Sequence, residues 1–134
     1  TGARCLLASF RSWVRTDGEL PLRALFDLRE LDTVALLTHA DLSSSVVGVA
    51  YLDALCASRS VSVAQLSFNP SDAVLATVLS HELGHLGGID HDAPGAPYVM
   101  GPTVPGALPA GTSVLPFSNE SKAQSRDFLE GVYG

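Results

Sequence analysis

His81, Glu82, His85, Gly88, His91 and Asp92 stand at fixed offsets in the string HELGHLGGIDHD, residues 81–92. On an α-helix, residues four apart lie about 40° from one face. His81 and His85 can therefore present two imidazoles, one turn apart, to a single zinc ion. Glu82, beside the first of them, places a carboxylate within reach of a metal-bound water. Gly88 can take the left-handed conformation that ends a helix, which lets the chain swing His91 back towards the metal. Three histidine ligands leave one position of a tetrahedral zinc open for water, the arrangement of a catalytic site. A bare HExxH often marks only a polar helix face, but the extension with Gly and a third His leaves little room for coincidence.

Those residues need a helix beneath them. Asn69-Pro70-Ser71-Asp72 reads as its start, with a cap residue, a proline in the first turn and an acid nearby. The helix is expected over 70–86, with Val74, Val78 and Leu79 on its apolar face. Upstream, Leu6, Leu7, Phe10, Trp13 and Val14 share one helical face, predicting a helix over about 4–16 that ends at Asp17-Gly18. Residues 33–38, 46–52 and 60–67 read as strands, the last alternating through Val61, Val63 and Gln65. Residues 93–116 hold six of the eight prolines and four of the twelve glycines. That segment is either a linker or, as a long loop inside a compact domain, a functional one. Ser118 can cap a final helix reaching about 130, with Asn119 and Glu120 in its first turn.

The 134 residues suggest one domain; 46% are apolar and 16% charged, a globular composition. A net charge of −6 argues against nucleic acid or an anionic membrane as partner. No apolar run approaches the roughly 20 residues that span a bilayer. The N-terminus shows no signal-peptide pattern, so a targeting peptide is not expected within the chain. Cys5 and Cys56 are too few for a disulfide scaffold and can form one bridge or remain thiols.

The pattern HExxHxxGxxH is the metzincin signature. Asp92 after the third histidine resembles the adamalysin (reprolysin) group of that clan. Met100, within Pro97-Tyr98-Val99-Met100, resembles the family's Met-turn. Phe117-Ser118-Asn119-Glu120-Ser121 with Phe128-Leu129 resembles its C-terminal helix, although Glu120 stands where the family usually has Cys. Asp32–Thr38 and Gly48–Leu52 resemble two of its strands, and Cys56 the Cys that follows the second. The resemblance implies an α/β (α+β) metzincin-like fold, a small twisted mixed sheet packed on helices. Residues 1–92 would carry the sheet and active-site helix, and 93–134 the Met-turn, a pocket-wall loop and the last helix.

It also implies a zinc-dependent endopeptidase acting on peptide or protein substrates, secreted or at the cell surface. His81, His85 and His91 would hold zinc, Glu82 would act as general base, and Gly88, Asp92 and Met100 would support the site. Gly48, Val49, Ala50 and Tyr51 would pair with substrate as a sheet edge, although Tyr51 could equally be ordinary packing. Val104, Pro105 and Leu108 would wall the side-chain pocket. An extracellular setting favours a Cys5–Cys56 bridge. Family domains carry a strand, a helix and a second strand before the first helix expected here, and these have no counterpart. The chain would then be a minimal version, a fragment completed by a separate N-terminal chain, or an incomplete piece; calcium is not expected. Two rival classes are a zinc-stabilised module closed by His39 and an inactive relative kept for binding. The intact Glu82 argues against both.

Overall fold

In the computed structural model, residues 2–16, 31–43, 45–69 and 71–133 are described. The apolar stripe near the N-terminus forms helix α1, Ala3–Arg15. Ala3, Leu7 and Phe10, at offsets of four and three, are its buried residues. Trp13 does not join them. It is 42% exposed and stacks on Phe10 with ring centroids 6.1 Å apart. The expected stop at Asp17-Gly18 lies outside the described residues; the helix is closed by Thr16, whose Oγ1 donates to Ser12 O at 2.8 Å.

Three strands form one mixed sheet: β1 (Val34–Thr38), β2 (Gly48–Ala50) and β3 (Val61–Gln65), in the order β1-β3-β2. β3 is central, parallel to β1 and antiparallel to β2. All five of its residues are buried, as expected of a strand covered on both faces. Val61 and Val63 pack with Leu7, Phe10 and Leu42 on the α1 side. Ser62 and Ala64 alternate to the other side, against helix α2, Asp72–Leu86. Strand β2 is only three residues long, not the seven expected from 46–52, because its ladder with β3 ends at Ala50↔Ser62.

Helix α2 begins two residues after the expected position. Its cap is Ser71, whose Oγ accepts from Val74 N, while Asn69 sits two residues earlier with its Oδ1 accepting from Ser71 N at 2.8 Å. Asn69 therefore shapes the turn into the helix instead of capping it. Helix α3 spans Asn119–Tyr133, and Ser118 Oγ caps it by accepting from Ser121 N at 2.9 Å. None of the helices is long and apolar enough to cross a membrane, among the described residues.

Candidate metal centre

The last turn of α2 has to end abruptly for the third histidine to return, and the chain does this at Gly88. Gly88 has φ +78°, Ile89 N donates to Gly84 O at 3.0 Å, and Gly88 N donates to His85 O at 3.1 Å. This pair of bonds is a Schellman motif, which satisfies carbonyls that a helix end leaves open. The connection after β2 supplies further donors: Asp53 N to His85 O at 3.1 Å, and Ala54 N and Leu55 N to Leu86 O, both at 2.9 Å. The helix end is thus tied to the sheet that forms the opposite side of the site.

Two backbone carbonyls orient the ligand rings. His81 Nδ1 lies 2.8 Å from Val99 O, and His85 Nδ1 lies 2.8 Å from Ile89 O. A carbonyl can only accept, so each Nδ1 carries the proton and each Nε2 presents a bare lone pair. Those lone pairs converge on the third ring: His81 Nε2 and His85 Nε2 stand 3.1 and 3.2 Å from His91 Nε2. One proton on His91 cannot satisfy both neighbours, whereas a cation between them satisfies all three. Nitrogens bound tetrahedrally to zinc at about 2.0–2.1 Å lie roughly 3.3–3.4 Å apart, so the cluster fits that ion. Burial lowers the His81 pKa from 6.5 to about 4 and also lowers that of His85. Both rings are therefore kept neutral and able to ligate.

Glu82 is buried beside these rings, and burial pushes its carboxyl up to about 8. Its place depends on Gly48 in β2. A Cβ at position 48 would collide with Glu82 Oε1 and stand 2.8 Å from its Cδ. The carboxyl therefore lies directly over the strand backbone, where any side chain would obstruct it. A cleft of about 810 Å³ opens over both groups, lined on one side by residues 45–50 and on the other by Gly101–Gly106, with His81, Glu82, His85 and His91 at its floor. Among the described residues β2 has a strand partner, β3, on one edge only, and its residues line the cleft.

Support comes from below and from the side. Met100 is fully buried, in a small core with Ile89 and Val99 against Leu115 and Phe117. A Cβ at Gly84 would stand 2.5 Å from Met100 Sδ, so the glycine inside the motif admits the methionine under the helix. Asp92 is buried; its N–H donates to Met100 O at 2.9 Å, and its Oδ1 accepts from Ser118 Oγ at 2.6 Å and Ser121 Oγ at 3.3 Å. The residue after the third histidine thus holds the start of α3.

The candidates read from sequence separate here. His81, Glu82, His85, His91, Gly48, Val49, Ala50, Val104 and Pro105 come together around the cleft. Tyr51 and Leu108 do not line it. Tyr51 packs on the α1 side of the sheet, with the Arg11 guanidinium 5.8 Å from its ring. His39 is exposed and stands apart from the three-histidine cluster. The expected Cys5–Cys56 bridge is corrected: both residues are exposed and no disulfide joins them. Cys5 lies on the outer face of α1, while Cys56 occupies a turn at φ +60° and directs its Sγ to Asp32 Oδ1 at 3.3 Å.

Phe68, Asn69, Val46 and Val47 also line the cleft but were not singled out from the sequence. Their signal is weak: Asn69 reads as a helix cap and the valines as strand. The roles of Ser118 and Ser121 were half legible, through the capping position alone.

Residues 3–131 match the sequence profile described as Reprolysin (M12B) family zinc metalloprotease. The chain is 33% identical over 129 residues to zinc metalloproteinase recombinant fibrinogenase II of Deinagkistrodon acutus, covering 92% of this chain and 50% of that protein. It is 36% identical over 102 residues to the hemorrhagic metalloproteinase-disintegrin-like kaouthiagin of Naja kaouthia, covering 76% of this chain and 23% of that protein. It is also 36% identical over 87 residues to snake venom metalloproteinase atroxlysin-1 of Bothrops atrox, covering 64% and 39% respectively. The chain therefore spans half or less of the length of these relatives.

Proposed function

The chain belongs to the reprolysin (M12B) family of zinc metalloproteases, and on that premise we propose that it is a zinc-dependent endopeptidase with Glu82 as its general base. The observation that carries this reading is the buried Glu82 carboxyl facing the same cleft as three converging Nε2 atoms. A structural metal site has no use for an ionisable acid held unpaired beside its ligands, since burying that acid costs free energy.

His81, His85 and His91 would hold the zinc. When bound, it supplies a Lewis acid that polarises the scissile carbonyl and acidifies water. Glu82, whose pKa is raised by burial, would be favoured in its ionised form beside a cation held by these histidines. Ionised Glu82 takes a proton from the attacking water as the new C–O bond forms. It then gives that proton to the departing amide nitrogen as the C–N bond breaks, releasing an acid and an amine. Gly48–Ala50 offer an edge on which an extended peptide can add as a strand, with Val104 and Pro105 opposite. The substrates are peptides or proteins, met outside the cell as befits a relative named as a snake venom metalloproteinase.

Glu82→Gln keeps the shape and removes the base. Its peptide cleavage should fall by about 10²–10⁴-fold while one zinc per chain is retained, read by a fluorogenic peptide library and metal analysis. Unchanged cleavage in this variant would remove Glu82 from the reaction.

A further inference from the structure

The cleft wall opposite β2 is held by very little. Residues 102–108 include Pro102 and Pro105, which have no N–H to donate, and among the described residues this stretch makes no backbone–backbone hydrogen bond. Its flanks close in local turns: Gly101 N donates to Tyr98 O at 3.1 Å, and beyond the segment Thr112 N donates to Pro109 O at 3.0 Å. Within it, one hydrogen bond reaches the rest of the protein among the described residues. Asn69 Nδ2 donates to Gly106 O at 2.9 Å.

The Asn69 amide is itself fixed. Ser71 N donates to Asn69 Oδ1 at 2.8 Å, so the oxygen must face the start of α2 and the NH₂ must face the wall. Asn69 is half-buried and lines the cleft with Phe68, between the sheet and the wall. We propose that Asn69 is the positioning residue of this wall: it clips Gly106, next to Val104 and Pro105, to the turn that leads into α2 and so sets the size of side chain the cleft accepts. The proposal rests on the endopeptidase reading for its consequence in substrate choice, but the clip itself does not. Prolines stiffen the wall locally, Val104, Pro105 and Leu108 are half-buried, and the Asn69 bond is its hydrogen-bonded fixed point among the described residues. A single bond near its middle therefore decides how far it stands from Val46–Ala50, and an apolar pocket discriminates by how closely its walls meet.

Two variants separate the clip from folding. Asn69→Asp keeps an oxygen for Ser71 N–H but offers Gly106 O no donor, whereas Asn69→Ala loses both bonds. The zinc-loaded chain is titrated by calorimetry with two peptide hydroxamates, bearing an isobutyl or a methyl group next to the chelating end. The unaltered chain should prefer isobutyl by on the order of 10-fold or more, and both variants should lose at least about fivefold of that preference. Backbone ¹⁵N heteronuclear NOEs at Thr103, Val104, Gly106 and Ala107 should fall in both variants. A purely structural role for Asn69 would lower stability, more in the Ala variant, and leave the ratio alone. An unchanged ratio, or a wall as rigid in both variants as in the unaltered chain, overturns the proposal. If neither hydroxamate binds the unaltered zinc-loaded chain, the open metal site of the preceding section fails instead, and the NOEs still decide the clip.

Discussion

At the scale of single residues, burial works in opposite directions on the two kinds of group in the site. It disfavours the charged form, so it lowers His81 to about 4 and raises Glu82 to about 8. The consequences for the metal-free chain have opposite signs. Unfolded His81 takes a proton near 6.5 and folded His81 only near 4, so its contribution is full above 6.5 and is lost as pH falls towards 4. That loss amounts to about 3 kcal/mol. Glu82 keeps its proton in the fold up to about 8 but loses it near 4.5 when unfolded, so its contribution is full below 4.5 and is lost as pH rises towards 8. Between 4.5 and 6.5 the two slopes offset one another. In metal-free Glu82→Gln the offset is gone. Urea unfolding of that variant should show stability falling steadily from pH 6.5 to 4, with a flatter profile in the parent. Matching profiles would mean that one of the two groups is not buried as described.

The elements matter through their ends. Helix α2 is useful because it stops where it does, and Gly88 makes that stop possible at φ +78°. A Cβ there would stand 2.7 Å from Phe128 of α3 and would strain a left-handed residue. Gly88→Ala should therefore cost about 2 kcal/mol of stability in the zinc-loaded chain and weaken zinc binding by roughly 10-fold. Denaturant titration and competition with a chromophoric chelator measure the two effects. A variant that binds zinc as tightly as the parent would show that His91 does not depend on this turn. The same elements show why boundaries were less legible than identities. Asn69 and Ser71 are both good caps, and local preference alone does not choose between them; the Asn69 amide is drawn to Gly106, 37 residues on. Trp13 carries the right spacing for the buried face of α1, yet it stays exposed and stacks on Phe10.

For the molecule as a whole, the site is where separate parts are joined. His81 of α2 meets the carbonyl of Val99, His91 from beyond the helix meets both helical histidines, and Asp92 binds the serines that open α3. Zinc held by this cluster should stabilise the entire fold, because it binds the native arrangement alone. With free zinc at about a thousand times its dissociation constant, removing it with EDTA should cost about 4 kcal/mol and lower the thermal midpoint by roughly 10–20 °C. Scanning calorimetry with and without chelator checks this, and an identical midpoint would contradict metal binding.

What the sequence marked out by itself was the candidate chemistry: the offsets of three histidines, one glutamate and one glycine point to ligands, the proposed base and the helix end through local geometry alone. The family followed from the same residues, with Asp92 and Met100. Only the tertiary structure decided which groups share the cleft. It brought Gly48 against Glu82, placed Met100 under Gly84, turned Tyr51 away to α1, kept Cys5 and Cys56 apart, and clipped the proline-rich wall to Asn69. These are contacts between residues far apart in the chain. They depend on how the sheet and helices pack, and no local spacing or propensity encodes that.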